Sequence, residues 1–300
     1  KILYIIYVGM TLVEIVLLCA GGMPLFDSMV HSFGSAGTGG FGIRADSIAS
    51  YSPYCQWVIT VFMLLFGVNF NLYYLLLAKK FRAAAQSSEC WYYLGIVAAA
   101  IVLICINVRS YFASFSDTLR AASFQVVSII TTTGYSTTDF DLWPHFSRTL
   151  LMVLMVIGAC AGSTGGGMKV SRVVLLFKMA GRELKHVLHP RSVNTVKFEG
   201  KRIDGTTLKG VSSYLALYVI CVILTVLVLS AENYDITTNL SATLSCFNNI
   251  GPGLSLVGPS GSFGIFNGFS KLVLSFAMLL GRLEIIPMLV LFSPSTWLKK

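Results

Sequence analysis

Three stretches decide how this chain is read: Thr38-Gly39-Gly40-Phe41-Gly42, Thr132-Thr133-Gly134-Tyr135-Ser136 and Asn249-Ile250-Gly251-Pro252-Gly253. Each carries a central glycine followed by an aromatic residue or a proline, and each lies between strongly apolar runs. One glycine loop says little, because glycine is common in turns. Three in the same context indicate an internal repeat, and a repeat governs every later reading.

Working outward, a second glycine follows each loop inside the next apolar run: Gly67, Gly158 and Gly281. Each unit therefore reads as span, short helix, glycine loop, span. Asp117 and Asp235 stand where the second and third short helices should begin, as N-caps that satisfy free N–H groups. Pro24 and Asp27 suggest a less regular start for the first.

Only 12% of the residues are charged and 55% are hydrophobic, whereas a soluble domain has about 25% charged residues. The apolar cores are Ile2–Ala20, Trp57–Ala78, Leu94–Val108, Thr149–Cys160, Val211–Ser230 and Leu272–Leu280. Most approach the roughly 20 residues that cross a bilayer; the fourth and sixth are short. No small-residue cleavage site follows Ile2–Ala20 in the usual form, so it reads as a span rather than a signal peptide. The chain has no initiator Met and reads as the C-terminal part of a longer protein.

The net charge of +9 follows topology rather than nucleic-acid binding. If the glycine loops share one side, only Arg44, Arg109, Arg120, Arg148 and Lys271 join them, and Arg282 stays inside the last span. The other bases, from Lys1 through Lys79, Lys80, Lys169 and the 178–209 stretch to Lys299 and Lys300, lie opposite. The positive-inside rule then puts the loops outside and the basic segments in the cytoplasm. Asp27, Asp46, Asp117, Asp139, Asp141, Glu232 and Asp235 fall on the loop side, where they would draw cations inward.

The physics of such a unit favours a cation. Irregular backbone at membrane depth must be buried or line a wet cavity. A short helix that descends and stops presents its negative dipole end. A glycine beyond it lets the carbonyls turn toward a common axis, where they can replace the water around an ion.

Other chemistries find little support. Gly162 to Lys169 superficially resembles a phosphate-binding loop, but Met168 separates Gly167 from Lys169, Val170 replaces the hydroxyl residue, and the flanks are apolar. His31, His145, His186 and His189 are dispersed, gather no acidic or cysteine ligands, and read as surface histidines. Asp139 and Asp141 read as an outer vestibule rather than an acid–base pair. The seven cysteines form no C-x-x-C pair and read as buried free thiols. Tyr135 and Phe41 read as a cuff around the loops. A secondary cation transporter, coupling K⁺ to H⁺ or Na⁺ at a midplane site in a broken helix, is the alternative. The loop pattern recurs three times and the mid-span break is read only once, which favours a pore.

Ser35–Ile43, Ile129–Phe140, Gly158–Arg172 and Cys246–Leu254 together resemble the TrkH subunits of bacterial potassium uptake systems, and the resemblance runs essentially from end to end. The segment Asn248-Asn249-Ile250-Gly251-Pro252-Gly253 favours TrkH over the related KtrB. The resemblance implies an all-α integral membrane fold: four units of span, pore helix, filter loop and span around a pseudo-fourfold pore, of which three are present here. Residues 1–78 match the second unit, 79–177 the third and 210–300 the fourth, with 178–209 a basic cytoplasmic linker that is partly helical.

Carried over by position, the resemblance makes Thr38, Gly39, Gly40, Phe41, Thr132, Thr133, Gly134, Tyr135, Asn249, Ile250, Gly251 and Pro252 a selectivity filter for K⁺, the transported ion. It makes Gly158, Gly162, Ser163, Thr164, Gly165, Gly166 and Gly167 an intramembrane gate loop, with Arg282 as its basic partner. So many glycines in ten residues disfavour a helix, at up to ~1 kcal/mol each. Arg282 facing the path would repel K⁺, whereas pairing with Glu284 would make it structural. The resemblance also implies a TrkA-like cytoplasmic nucleotide-binding subunit, a homodimer, a place in the bacterial inner membrane, no tightly bound cofactor and no catalysis.

Overall fold

In the computed structural model, which describes residues 2–191 and 194–297, the chain is an all-α membrane protein. Lys1, Lys299 and Lys300 lie outside the described residues. Among the described residues three helices are long and apolar enough to cross a membrane unaided: α1 (Ile2–Ala20), α6 (Ser88–Val108, extended by a tight turn to Tyr111) and α10 (Gly205–Ser230). Each is followed by a shorter helix, namely α2 (Leu25–Ala36), α7 (Phe115–Ile130) and α11 (Ile236–Asn248), which ends at one of the glycine loops. A return helix follows each loop: α3 (Pro53–Phe66), α8 (His145–Val156) and α12 (Gly268–Arg282).

The helix starts obey local chemistry. Asp235 caps α11 by accepting from the Thr238 amide, as expected. The cap of α7 is instead Ser114, whose hydroxyl accepts from the Asp117 amide at 3.1 Å and donates to the Asp117 carboxylate at 2.7 Å. Asp117 is thus the third helical residue, its carboxylate holding the capping hydroxyl, rather than the cap itself. Ser52 caps α3 ahead of Pro53, and Pro24 opens α2 with Asp27 in its first turn.

One expectation fails. The mid-span break occurs in all three return spans. α3 turns 91° into α4 (Phe70–Leu77), and α12 turns 114° into α13 (Ile285–Leu291). α8 stops at Val156, and the chain resumes as α9 (Val170–Leu188) after an irregular loop. The cause is close approach at the second glycine of each unit. A Cβ on Gly67 would stand 2.4 Å from the Tyr93 hydroxyl oxygen, and one on Gly281 would stand 1.6 Å from the Phe247 carbonyl oxygen. Neither crowding partner is near in sequence.

The connecting segment is more ordered than a linker. After α5 (Phe81–Ala85) and α9, strands β1 (Lys197–Phe198) and β2 (Lys201–Arg202) form an antiparallel hairpin packed beside α9 and α10. A last turn, α14 (Pro294–Trp297), follows α13.

The core sits around the short helices. From Ala121 to Ile130 every residue of α7 is buried, the pattern of a helix surrounded on all sides. α2 differs: Leu25, Phe26 and Phe33 are exposed. Of the cysteines, Cys55, Cys105 and Cys160 are buried and the other four are only half-buried, all as free thiols.

Candidate functional site

Each glycine loop begins as the C-cap of its short helix. Thr38, Thr132 and Asn249 occupy equivalent positions with φ of 51°, 58° and 56°, in the left-handed region. The amides that follow, Gly39, Thr133 and Ile250, donate back to the carbonyls of Gly34, Ser128 and Ser245 at 2.8–2.9 Å. The left-handed residues themselves donate to Ser35, Ile129 and Cys246. This is a Schellman motif repeated three times. Two residues after each left-handed position stands a glycine with positive φ: Gly40 at 66°, Gly134 at 89° and Gly251 at 119°. Threonine in this region costs of order 1–3 kcal/mol, strain that persists only where the surroundings enforce it.

The loops interlock in chain order. A Cβ on Gly40 would lie 1.9 Å from the Thr133 carbonyl oxygen, and one on Gly134 would lie 1.9 Å from the Ile250 carbonyl oxygen. Beside Gly251 the nearest atom is 3.7 Å away and belongs to Gly134. Outer segments reinforce the order. Ile48 donates to Ser136 (3.1 Å) and Ser136 to Ser47 (3.2 Å). Asp141 accepts from the Ser255 amide (2.9 Å) and pairs with Arg148 (2.9 Å), while Asp139 accepts from Ser260 (2.7 Å). The two aspartates are therefore staples between the second and third units.

The carbonyls fall into two groups. Ser128 Oγ donates to the Tyr135 carbonyl at 2.6 Å, and Ser245 Oγ to the Gly251 carbonyl at 2.7 Å. In the first unit the matching helix position is Gly34, where a Cβ would fall 2.0 Å from the Tyr135 hydroxyl. That hydroxyl takes the serine's place: it lies 3.3 Å from the Phe41 carbonyl and 3.2 Å from the His31 carbonyl. The carbonyls of Phe41, Tyr135 and Gly251 thus face protein donors. Those of Thr38, Gly39, Gly40, Thr132, Thr133, Gly134, Asn249 and Ile250 accept no hydrogen bond from the described residues.

His31 is fully buried rather than a surface histidine. Its ring bridges the Tyr135 and Tyr51 hydroxyls at 3.3 Å each, and Tyr51 donates to Asp27 at 2.7 Å. Of the expected cuff, Tyr135 is fully buried, while Phe41 is 80% exposed. Pro252 packs its ring close to Gly134.

Residues 157–169 form the irregular loop, and they lie directly against the Schellman caps. The Thr164 carbonyl accepts from Thr38 Oγ1 at 3.0 Å and from Arg282 Nη1 at 3.2 Å. The Gly166 amide donates to Thr132 Oγ1 at 2.6 Å. Lys169 Nζ folds back on the Gly165 carbonyl. Glycine is required by space: a Cβ would stand 2.6 Å from the Asn248 carbonyl oxygen at Gly166, and 2.2 Å from that of Gly166 at Gly158. Gly162 and Gly167 have positive φ. The neck is closed by Gly158 donating to Met168 (2.8 Å) and Val170 to Ala159 (3.2 Å). Ser163 is held by the Cys160 carbonyl.

Arg282 does not pair with Glu284. The Glu284 carboxylate binds Arg172 at 2.7 Å, and that guanidinium stacks 4.2 Å from the Tyr214 ring centre. Two cavities meet at Arg282. One, of about 900 Å³, is lined by all three glycine loops; the other, of about 710 Å³, is lined by Gly162–Gly167, Lys169, Arg172 and Glu284. Gly37 and Arg282 line both, whereas Gly162–Gly167 line only the second.

Sequence reasoning missed Ser128, Ser245 and Gly34, whose roles depend on which carbonyl folds back upon the helix. It also missed Glu89, whose carboxylate holds the loop neck from a helix far away in sequence.

Comparison with known proteins gives the family and the fold. The profile of the family described as TrkH, cation transport protein, matches residues 1–299. The chain is 36% identical over 302 aligned residues to the Trk system potassium uptake protein TrkH of Salmonella typhimurium, covering 99% of this chain and 62% of that protein. It is 32% identical to the Trk system potassium uptake protein TrkG of Escherichia coli, covering 61% of it. The crystal structure of the potassium transporter TrkH from Vibrio parahaemolyticus superposes with a TM-score of 0.92 at 34% identity, over 99% of this chain and 64% of that one. The chain thus spans a little under two thirds of the length of these relatives. With its whole length matched by the family and its fold reproduced by a member, this chain belongs to the TrkH family of cation transport proteins.

Proposed function

We propose that this chain is the pore-forming part of a potassium uptake protein, with the three glycine loops as a selectivity filter and residues 158–167 as an intramembrane gate. One observation carries the reading. Three equivalent loops, each with a matching residue in the left-handed region, line one cavity, and eight of their carbonyls accept no hydrogen bond from the described residues. Carbonyl oxygens with no protein donor are the groups that can replace the hydration shell of K⁺. The working ligands are then the carbonyls of Thr38–Gly40, Thr132–Gly134 and Asn249–Ile250. Those of Phe41, Tyr135 and Gly251 brace the loops, and Pro252 packs.

The C-terminal ends of α2, α7 and α11 add a negative dipole field at the same place. Arg282, tied to the Thr164 carbonyl between the cavities, places a positive charge below the filter and opposes K⁺ while the gate loop is docked. Gly251 meets only ordinary contacts, from Gly134, and no loop is packed on it as loops are packed on Gly40 and Gly134. This supports a fourth loop completing the ring, and on that reading these 300 residues alone would not conduct selectively. The relatives' names support work alongside other components of a Trk system. The reading extends this to a bacterial inner-membrane protein with the filter outward, as the charge asymmetry suggests, and to a TrkA-like nucleotide-binding subunit and a homodimer, for which the sequence resemblance is the only support.

A secondary cation transporter is the second reading. The recurrence of the break in every return span removes one argument against it. The interlocked carbonyl loops still favour a pore, because a midplane transport site needs no such ring. The test is K⁺ and Na⁺ flux through the full-length protein in liposomes. Strong K⁺ preference without dependence on a proton or sodium gradient supports the pore; obligatory coupling supports the transporter.

A further inference from the structure

The neck of the 158–167 loop is held by one buried carboxylate oxygen. Glu89 Oε1 accepts from the Ala161 amide at 2.7 Å and from the Ser171 amide at 3.1 Å. Ala161 lies within the loop and Ser171 in the first turn of α9 just beyond it, so one oxygen ties the loop to the helix that follows, and Glu89 is only 6% exposed. Glu89 lies in the first turn of α6, where backbone N–H groups lack helical partners. Its own amide donates to Glu199 Oε1 at 2.8 Å, and Ser87 Oγ donates to the same oxygen at 3.3 Å.

Glu199 is the exposed tip of the β1–β2 hairpin. With Gly200 it forms the two-residue turn, and both have positive φ, 50° and 71°. Hairpin turns of this kind favour Asn, Asp or Gly at the first position, so Glu there carries backbone strain. The hairpin is pinned from its other side by Lys178, whose Nζ donates to the Lys197 carbonyl at 2.9 Å between the rings of Tyr92 and Phe198.

We infer that Glu199 is a positioning residue for the gate loop: it anchors the start of α6, and through α6 it sets the Glu89 carboxylate that clamps Ala161 and Ser171. Whatever displaces the hairpin from the basic end of the molecule frees the neck of the loop. The inference rests on the reading of 158–167 as the gate, and the two are tested separately.

The test is amide hydrogen exchange of the full-length protein in lipid nanodiscs, read on peptides covering 158–171, with K⁺ efflux from liposomes measured alongside. Glu199→Ala touches neither Ala161 nor Ser171, yet it should speed their exchange roughly tenfold, the worth of one hydrogen bond to a charged group. Glu199→Gln keeps an acceptor and should restore slow exchange. Glu89→Ala with Glu199→Ala should exchange no faster than Glu89→Ala alone. Glu183→Ala, an exposed change on α9, should match the unaltered protein. Acceleration by Glu199→Ala confined to the hairpin and residues 87–91, or single effects that multiply in the double variant, would overturn the relay. Faster exchange of 158–171 with unchanged efflux would support the relay and count against the gate.

Discussion

Gly40 and Thr133 are in backbone contact across two glycine loops: a Cβ on Gly40 would meet the Thr133 carbonyl oxygen at 1.9 Å, and Gly134 repeats the relation against Ile250. Glycine here is a requirement of the neighbouring loop as much as of its own turn. Gly40→Ala or Gly134→Ala must displace a backbone carbonyl as well as strain a left-handed residue, at roughly 2 kcal/mol or more. Gly251→Ala meets only the backbone strain, about 1–2 kcal/mol. Thermal unfolding of the full-length variants should rank them in that order.

Tyr135 braces two loops at once, its carbonyl held by Ser128 and its hydroxyl set among His31 and Phe41. Tyr135→Phe removes the hydroxyl and leaves buried partners unpaired, a loss of about 1–2 kcal/mol. K⁺/Na⁺ discrimination should fall while the protein still folds and inserts. Ser128→Ala should act in the same direction. Unchanged reversal potentials in both variants would show that the bracing does not control selectivity.

Arg282 donates to the Thr164 carbonyl, which Thr38 also binds. Arg282→Ala removes both the charge between the cavities and a tether of the loop, so K⁺ flux should rise several-fold. Thr38→Val should raise flux less, because it loses the tether and keeps the charge. A lower or equal flux in Arg282→Ala would assign the side chain a purely structural role.

The cap of α11 responds to pH. Some burial works against the charged form of Asp235, but hydrogen bonds from the Thr238 amide and hydroxyl and from Ser255 hold its carboxyl below its ordinary range. A depressed folded-state pKa adds stability above the unfolded value, about 3.9, and that stability is lost as pH falls through the folded value. Thermal stability should therefore decline below about pH 4. Asp235→Ala should cost about 1 kcal/mol at neutral pH, and its decline in acid should be shallower than that of the unaltered protein.

Much of the site was legible because glycine marks it. Gly40, Gly134 and Gly251 signalled the loops, and the cluster from Gly158 to Gly167 signalled the break in the second unit. Asn249 hinted at a left-handed cap, since Asn tolerates that region; Thr38 and Thr132 did not, because a β-branched residue there is enforced by its surroundings. The bend after Phe66 was hidden because the apolar run Trp57–Ala78 continues through it, and the one after Arg282 because its charges read as a functional site inside a span. Their cause lies in the Tyr93 hydroxyl and the Phe247 carbonyl, supplied by other elements. The same holds for Glu284, which stands two residues from Arg282 and pairs instead with Arg172.

The interlocked loops are proposed to select the ion. The most direct measurement is the reversal potential of the full-length protein carrying Gly134→Ser, under opposed K⁺ and Na⁺ gradients. A clear loss of K⁺ preference is expected, because the added side chain must push the Ile250 carbonyl out of place. An unchanged ion ratio would contradict it.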